Sequence, residues 1–172
     1  MLEKGYIQVY TGNGKGKTTA ALGITLRAVC AGNKVFIGQF MKGGDYSELK
    51  AAACLPSLDM EQFGNVGFIS GKPSEDDIIK AGKGLARMKE ILGSGKYDIV
   101  IFDEINTALY FKLVSIDETL AALDVKPDST EVILTGRYAP PEIIEIADLV
   151  TEMREIKHYY KDGVNARVGI EK

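Results

Sequence analysis

Residues 11–19 read Thr11-Gly12-Asn13-Gly14-Lys15-Gly16-Lys17-Thr18-Thr19 and decide the fold. This glycine-rich stretch lies between an alternating, strand-like run over residues 6–10 and a run rich in Ala and Leu over residues 19–31, which predicts the order strand, turn, helix. Glycines let backbone N–H groups converge on phosphate oxygens, a lysine adds a point charge, and a Thr hydroxyl is a ligand for Mg²⁺. The positive end of the following helix favours the same anion. The stretch therefore predicts a loop that binds the phosphates of ATP together with Mg²⁺.

We expect the whole loop to contribute to nucleotide binding. The residues concerned are Gly12, Asn13, Gly14, Lys15, Gly16, Lys17, Thr18 and Thr19. Lys17 and Thr18 are also predicted to be catalytic, and Thr18 to be a metal ligand. The usual spacing G-x-x-x-x-G-K-[ST] places its first glycine at position 11, which is Thr11 here, so we expect a loop shaped differently from that of ordinary ATPases. A surface turn with a chance Gly and Lys content is the alternative.

Strand-like and helix-like runs alternate along the chain. The predicted strands are residues 6–10, 35–40, 59–63, 98–103, 131–135 and 149–153, and the predicted helices are residues 17–31, 46–54, 74–92, 105–112, 116–123 and 141–147. Because runs such as residues 99–102 are apolar throughout, we expect a parallel sheet that is covered on both faces. The predicted fold is α/β: a single P-loop NTPase (RecA-like) domain over residues 1–172, mainly a parallel sheet with helices on both faces. Its ligand is expected at the carboxyl ends of the strands.

Composition limits the class of protein. The 172 residues are 45% hydrophobic and 26% charged, an ordinary globular balance, and the net charge of −3 gives no overall attraction to nucleic acid. The first residues pass straight into a strand and no apolar run has transmembrane length, so we expect a cytoplasmic protein with no membrane partner. Cys30 and Cys54 are expected to be buried rather than bridged. With these two cysteines and one histidine, His158, a structural zinc site is not expected.

A second nucleotide signature follows an apolar strand. The run DIVIFDE over residues 98–104 delivers Asp103 and Glu104 to the sheet edge at which the phosphate loop is expected. Asp103 suits a Mg²⁺ ligand, directly or through water, while Glu104 suits either a metal ligand or a catalytic base that orients a water. The alternative is that both are solvated acids at the start of a helix.

Arg137 ends the next apolar strand, in the run LTGR over residues 134–137. An arginine beside a glycine at a strand end can bind phosphates or a charged group of a second substrate. It can equally pair with a structural carboxylate, and the spacing does not separate the two interpretations.

Several further motifs carry a resemblance to a known family. They are residues 12–21 (GNGKGKTTAA), 38–43 (GQFMKG), 103–106 (DEIN), 134–137 (LTGR), 143–153 (IIEIADLVTEM) and 156–158 (IKH). In succession they resemble the P-loop ATP:corrinoid adenosyltransferases, the cob(I)yrinic acid a,c-diamide or cob(I)alamin adenosyltransferases, over nearly the whole chain. The resemblance implies transfer of the 5′-deoxyadenosyl group of ATP to the Co(I) of a corrinoid, with triphosphate as the leaving group. It also implies a flavodoxin-like reductant, a homodimer, and a phosphate chain that lies in the loop in the reverse sense from ordinary ATPases.

The resemblance places the corrinoid near residues 63–70. Phe68 matches an aromatic residue with which members of the family displace the lower axial ligand of cobalt, whereas the tryptophan usual two residues later is Ser70 here. Ordinary core packing is the alternative for Phe63 and Phe68. Two other functions are compatible with the phosphate loop alone: a P-loop ATPase or small-molecule kinase, which forms ADP, and a nucleotide-dependent binding module, which shows no turnover.

Overall fold

The structure of the protein is a computed structural model that describes residues 2–65 and 71–171. Strands and helices alternate along these residues. The strands are β1 (Ile7–Thr11), β2 (Val35–Phe40), β3 (Leu58–Phe63), β4 (Ile99–Asp103), β5 (Glu131–Thr135) and β6 (Leu149–Glu152). The α-helices are α1 (Lys17–Cys30), α2 (Ala51–Cys54), α3 (Glu75–Gly93), α4 (Ile105–Tyr110), α5 (Ile116–Leu123) and α6 (Pro141–Glu145), with 3₁₀ turns at Ser47–Lys50 and Tyr159–Asp162.

The six strands form one parallel sheet in the order β3-β2-β4-β5-β1-β6. Since all strands run the same way, the residues that follow them meet at one edge of the sheet. The loop after β1 therefore lies at the same edge as Asp103, the last residue of β4, and Thr135, the last residue of β5. This architecture confirms the predicted single-domain α/β fold with a parallel sheet.

The sheet is covered by two separate hydrophobic layers because its inner strands alternate between its two faces. In β4, Val100 and Phe102 pack in the layer formed with α3, α4 and α5, whereas Ile99 and Ile101 pack in the layer formed with α1. All residues of β2, β4 and β5 are buried. The edge strand β6 differs, since all four of its residues are exposed.

The predicted helix over residues 46–54 is divided in the structure. A 3₁₀ turn, Ser47–Lys50, precedes the four-residue α2. Glu48 in this turn accepts hydrogen bonds from Gln39 at the end of β2 and from Lys42 in the loop after it, both at 3.3 Å. The other helices and all six strands lie within two residues of their predicted bounds.

The acidic residues at the start of α3 cap that helix. Ser74 Oγ accepts from the Asp77 backbone N–H at 3.2 Å, and Asp77 Oδ2 accepts from the Ser74 backbone N–H at 2.9 Å. Carboxylates in a first helical turn are also favoured by the helix dipole. Stability of the helix terminus therefore accounts for this acidic run.

The expectation that both cysteines are buried is wrong. Cys30 and Cys54 are exposed, free thiols. In α1 the buried stripe runs through Ala21, Thr25 and Ala28, and Cys30 lies two residues beyond it, which turns its side chain away from the sheet. Among the described helices, none is long and apolar enough to cross a membrane.

Candidate functional site

The phosphate loop connects β1 to α1 and packs against the chain that follows β6. Gly14 N donates to Met153 O at 2.7 Å. A Cβ at Gly12 would lie 2.5 Å from Met153 O, and Gly12 and Gly16 have φ values of +96° and +121°. Both positions therefore favour glycine for their backbone conformation, and Gly12 also requires it for the close approach of the backbone at Met153.

The N-terminus of α1 differs from those of the other long helices. Helices α3 and α5 each begin with a serine capping box and two or three acidic residues in the first turn. Helix α1 begins at Gly16 with no capping side chain and no acidic residue. Its first N–H groups therefore have no side-chain cap, as expected for a helix N-terminus that binds an anion.

Lys17 lies over the hollow of the loop. Its Nζ donates to Gly12 O and Gly14 O, both at 2.8 Å, and the residue is 6% exposed. Burial lowers the pKa of the Lys17 ammonium, with a further lowering by Arg137, while Glu104 and Asp103 oppose this shift. The ammonium is consequently held by two carbonyls of the loop itself, with the charges of Glu104 and Asp103 nearby.

Asp103 is the centre of the polar cluster at the sheet edge. It is 1% exposed, and each of its oxygens accepts two hydrogen bonds. Oδ1 accepts from Thr18 Oγ1 at 2.8 Å and from Thr135 Oγ1 at 2.7 Å. Oδ2 accepts from Gln39 Nε2 at 3.1 Å and from Lys42 Nζ at 2.9 Å. The structure thus brings together two of the three predicted metal-binding side chains, Thr18 and Asp103; the third is Glu104.

Gln39 and Lys42 are site residues that our sequence reasoning did not identify. Gln39 lies in β2 directly opposite Asp103 in the parallel register with β4, and it is fully buried. The signal was available: a polar residue near the end of an otherwise apolar strand belongs at the ligand edge of a parallel sheet. Lys42 lies in the same motif, residues 38–43, but its contact with Asp103 depends on the path of the loop after β2.

Glu104 lies beside this cluster, and its carboxylate is hydrogen-bonded to Thr107 rather than to the side chains around Asp103. It has a left-handed backbone conformation (φ 62°), and its backbone N–H donates to Thr135 Oγ1 at 3.0 Å. Its carboxylate accepts from Thr107 Oγ1 at 2.5 Å. Burial raises the pKa of the Glu104 carboxyl, and the neighbouring Asp103 raises it further. The described side chains include no group of three His, Cys, Asp or Glu residues that could hold a metal ion by themselves.

Arg137 projects from the turn after β5. Gly136, with φ +132°, lets the chain approach Thr107, whose Oγ1 accepts the Arg137 backbone N–H at 3.0 Å. The side chain is exposed, and its charge lowers the pKa of Lys17. None of the described carboxylates forms an ion pair with the guanidinium. The structural ion pair is thus absent from the described contacts, and a role of Arg137 in ligand binding stays a prediction.

A cleft of about 240 Å³ adjoins the outer side of the loop. It is lined by Gly14, Lys15 and residues 154–159. The Lys15 ammonium turns away from the loop hollow and donates to Ile170 O at 2.8 Å. In the same region His158 Nδ1 accepts the Tyr160 backbone N–H at 3.1 Å. The backbone of Lys15, rather than its ammonium, is thus left for the predicted nucleotide contact.

Of the two phenylalanines in the predicted corrinoid-binding segment, the structure describes Phe63. Phe63 packs edge-on against Phe40, with ring centroids 5.5 Å apart, and fits against Gly84, where an added Cβ would lie 2.4 Å from its ring. Its role is core packing. Phe68 and Ser70 lie outside the described residues.

Comparison with known proteins extends over almost the whole chain. Residues 3–171 match the family model described as ATP:corrinoid adenosyltransferase BtuR/CobO/CobP. A corrinoid adenosyltransferase from Sinorhizobium sp is 37% identical over 98% of this chain and 81% of its own length. The corrinoid adenosyltransferase of Escherichia coli K12 is 36% identical, and that named CobA in Salmonella typhimurium is 35% identical, each over 98% of this chain and 86% of the relative.

Proposed function

Because the chain belongs to the ATP:corrinoid adenosyltransferase BtuR/CobO/CobP family, we infer that it transfers the 5′-deoxyadenosyl group of ATP to the Co(I) of a corrinoid and releases triphosphate. Such a reaction serves the synthesis or salvage of adenosylcobalamin. The observation that carries the inference is the extent of the match, which takes in the phosphate loop, the Asp103 cluster and Arg137 together. A P-loop ATPase or small-molecule kinase, inferred from the loop alone, gives no reason for the rest of the chain to match this family.

The proposed reaction needs charge stabilisation more than acid or base chemistry. Cobalt of the reduced corrinoid attacks the ribose C5′, a Co–C bond forms, and the C5′–O bond breaks with its electron pair leaving on the triphosphate. The nucleophile belongs to the substrate, so no Ser, Cys or His of the protein has to attack. The tasks of the protein are to position ATP and to stabilise the negative charge that develops on triphosphate.

Lys17 is the proposed principal cation for the departing triphosphate. Its ammonium already lies at the loop hollow on Gly12 O and Gly14 O, with the uncapped N-terminus of α1 beside it. Phosphate oxygens are stronger acceptors than the two carbonyls. Gly12, Asn13, Gly14, Lys15, Gly16, Thr18 and Thr19 supply the surrounding backbone of the binding loop, and Arg137 supplies a second cation from the β5 turn.

The side chains at the sheet edge fit a Mg²⁺ ion bound with ATP. Mg²⁺ takes one or two carboxylates or hydroxyls from a protein and completes its shell with phosphate oxygens and water. Thr18 and Asp103, hydrogen-bonded at 2.8 Å, provide such a pair. When bound there, Mg²⁺ would neutralise charge on the triphosphate. Glu104, whose carboxylate is held by Thr107, is proposed to contact the same ion through water and to be catalytic in that way.

The remaining parts of the proposal concern the second substrate and the setting of the reaction. Phe68 is proposed to contact the corrinoid. A flavodoxin-like protein is proposed to supply the electron that forms Co(I), and the chain is proposed to act as a cytoplasmic homodimer formed by one adenosyltransferase domain over residues 1–172. None of these proposals requires nucleic acid or a membrane.

The test is an oxygen-free assay of the purified chain with Mg-ATP and a chemically reduced Co(I) corrinoid. Formation of a light-sensitive Co–C species, followed in the corrinoid spectrum, supports the transferase. An unchanged corrinoid with ADP and phosphate as products would leave an ATPase or kinase instead. Binding of ATP with no product of either kind would indicate a nucleotide-dependent binding module.

A further inference from the structure

The Lys42 ammonium contacts Asp103, the carboxylate that is also proposed to bind Mg²⁺. Its Nζ lies 2.9 Å from Asp103 Oδ2 and 3.3 Å from Glu48 Oε1. The ammonium also lies 5.4 Å from the centre of the Tyr46 ring, within the range of a cation–π contact. The Lys42 side chain is 16% exposed, so this charge is largely removed from water.

The hydrogen bonds of Asp103 leave it no unused lone pair in this arrangement. A carboxylate offers about four acceptor positions, and Thr18, Thr135, Gln39 and Lys42 donate to all four. A metal ion that binds Asp103 directly must therefore displace one donor. Gln39 is held in place from its other side, because its Oε1 accepts from Gln62 Nε2 at 3.2 Å.

Lys42 and Gln39 both have Glu48 Oε1 as a second acceptor, which lies 3.3 Å from Lys42 Nζ and 3.3 Å from Gln39 Nε2. The Gln39 amide is fixed by Gln62, whereas the Lys42 ammonium is carried on a flexible stem and can shift. Lys42 keeps an ion-pair partner when it leaves Asp103, because its ammonium is already 3.3 Å from Glu48 Oε1. Its backbone does not need to move, since Lys42 O accepts the Gly64 backbone N–H at 3.1 Å and anchors the loop. Like charges at one carboxylate repel each other, which makes the ammonium and a divalent cation alternatives at Oδ2.

We propose that Lys42 is the resident counter-cation of Asp103, which Mg²⁺ displaces onto Glu48 when Mg-ATP binds. This inference rests on the proposed function, in particular on the Mg²⁺ site at Thr18 and Asp103. Lys42 is a positioning residue here, because it acts through Asp103. It keeps the buried carboxylate neutralised and sets the Mg²⁺ concentration at which the site fills.

Two substitutions test the proposal in opposite directions. Lys42→Met keeps the length and the apolar stem but removes the competing charge, so Mg²⁺ should bind about tenfold more tightly or better, as expected for a close, desolvated charge pair. Glu48→Gln removes the charge that receives the displaced ammonium, so Mg²⁺ should bind more weakly. Lys50→Met, at an exposed lysine of the neighbouring 3₁₀ turn, is the matched control and should change neither value.

The measurement is the Mg²⁺ dependence of ATP binding by isothermal titration calorimetry without corrinoid, so that no turnover occurs. Thermal unfolding in EDTA gives a second readout: Lys42→Met should unfold at a lower temperature than the native chain, and Mg-ATP should restore more stability to it. Unchanged or weaker Mg²⁺ binding by Lys42→Met would overturn the proposal, as would tighter binding by Glu48→Gln. If ATP binding by the native chain shows no dependence on Mg²⁺, the metal site of the proposed function fails, which is a distinct result.

Discussion

At the scale of single residues, the site contains one paired set of charges, because Asp103 and Glu48 share the Lys42 ammonium. Lys17 bonds loop carbonyls, and Asp103 bonds four donors from four segments of the chain. The sequence predicted the juxtaposition of Thr18 and Asp103, because a phosphate loop and the strand that carries the acid end at one edge. It did not predict Lys42, since that contact depends on side-chain positions between separate loops.

The role of Lys17 is tested by comparison with a nearby lysine. Lys17→Met should lower kcat about 100-fold or more, because it removes a fixed charge from the departing triphosphate. Lys15→Met is the control: its ammonium bonds Ile170 O on the outer side of the loop, so we expect a small effect. Steady-state rates with Co(I) corrinoid and Mg-ATP measure both. Equal losses in the two variants would contradict the assignment.

Glu104 predicts a dependence of stability on pH. Because burial and Asp103 raise the pKa of its carboxyl above the unfolded value of 4.5, the folded state holds this proton more tightly. The protonated Glu104 carboxyl therefore makes its whole contribution to the free energy of unfolding at pH values below the unfolded pKa. This contribution is lost as the pH rises through the pKa of the folded state. Glu104→Gln, which keeps an acceptor for Thr107, should be more stable than the native chain at neutral pH, and this difference should shrink as pH falls toward 4.5.

Urea unfolding of both chains across this pH range measures the difference. A Glu104→Gln variant that is less stable than the native chain at neutral pH would show that the ionised carboxylate is net stabilising. A difference that stays constant with pH would show that the effect is packing rather than charge.

At the scale of elements, the phosphate loop is shaped by its fit against the chain after β6. The glycine pattern in the sequence predicted the loop, but the reason for Gly12 and Gly14 is the backbone of Met153, which directly follows β6 and is far away along the chain. The sequence also predicted β6 as a strand but not its exposure: all four residues of β6 are exposed, whereas β3, the strand at the opposite side of the sheet, has one exposed residue.

Substitutions at Gly32 and Gly12, which both have positive φ, distinguish the cost of backbone strain from the cost of a close contact. Gly32 has φ +86° with no atom within 4 Å of an added Cβ, so Gly32→Ala should cost about 1–2 kcal/mol of stability and leave catalysis unchanged. Gly12→Ala adds a contact at 2.5 Å and must shift the loop by about 1 Å, which should lower kcat/KM about 100-fold. Chemical unfolding and steady-state kinetics distinguish them. Full activity in Gly12→Ala would contradict this account of the loop.

Helix α1 contains a glycine that neither strain nor contact explains. Gly23 lies in the helix interior, is exposed, and has no atom within 4 Å of an added Cβ. Gly23→Ala should therefore stabilise the chain by about 0.5–1 kcal/mol, through higher helix propensity and a less flexible unfolded chain. A rise in the urea midpoint with an unchanged slope is the expected result, and a fall would point to a role for Gly23 that the described contacts do not contain.

At the scale of the whole molecule, the sequence was most predictive where one pattern governs a complete element. Strands β2, β4 and β5 are buried on both faces, so their apolar runs gave almost their observed bounds. Cys30 and Cys54 were misplaced because burial depends on which helical face meets the sheet, not on residue type alone. The 3₁₀ turn at Ser47–Lys50 escaped prediction because Glu48 has its partners in β2 and the loop after it.

We propose that the phosphate loop activates ATP for attack at C5′ rather than at a phosphorus atom. The most direct measurement is the stoichiometry of products when the chain turns over Mg-ATP with Co(I) corrinoid in the absence of oxygen. The account predicts one triphosphate for each Co–C bond formed, with no ADP. Release of ADP and phosphate, or loss of ATP without a matching Co–C bond, would contradict it.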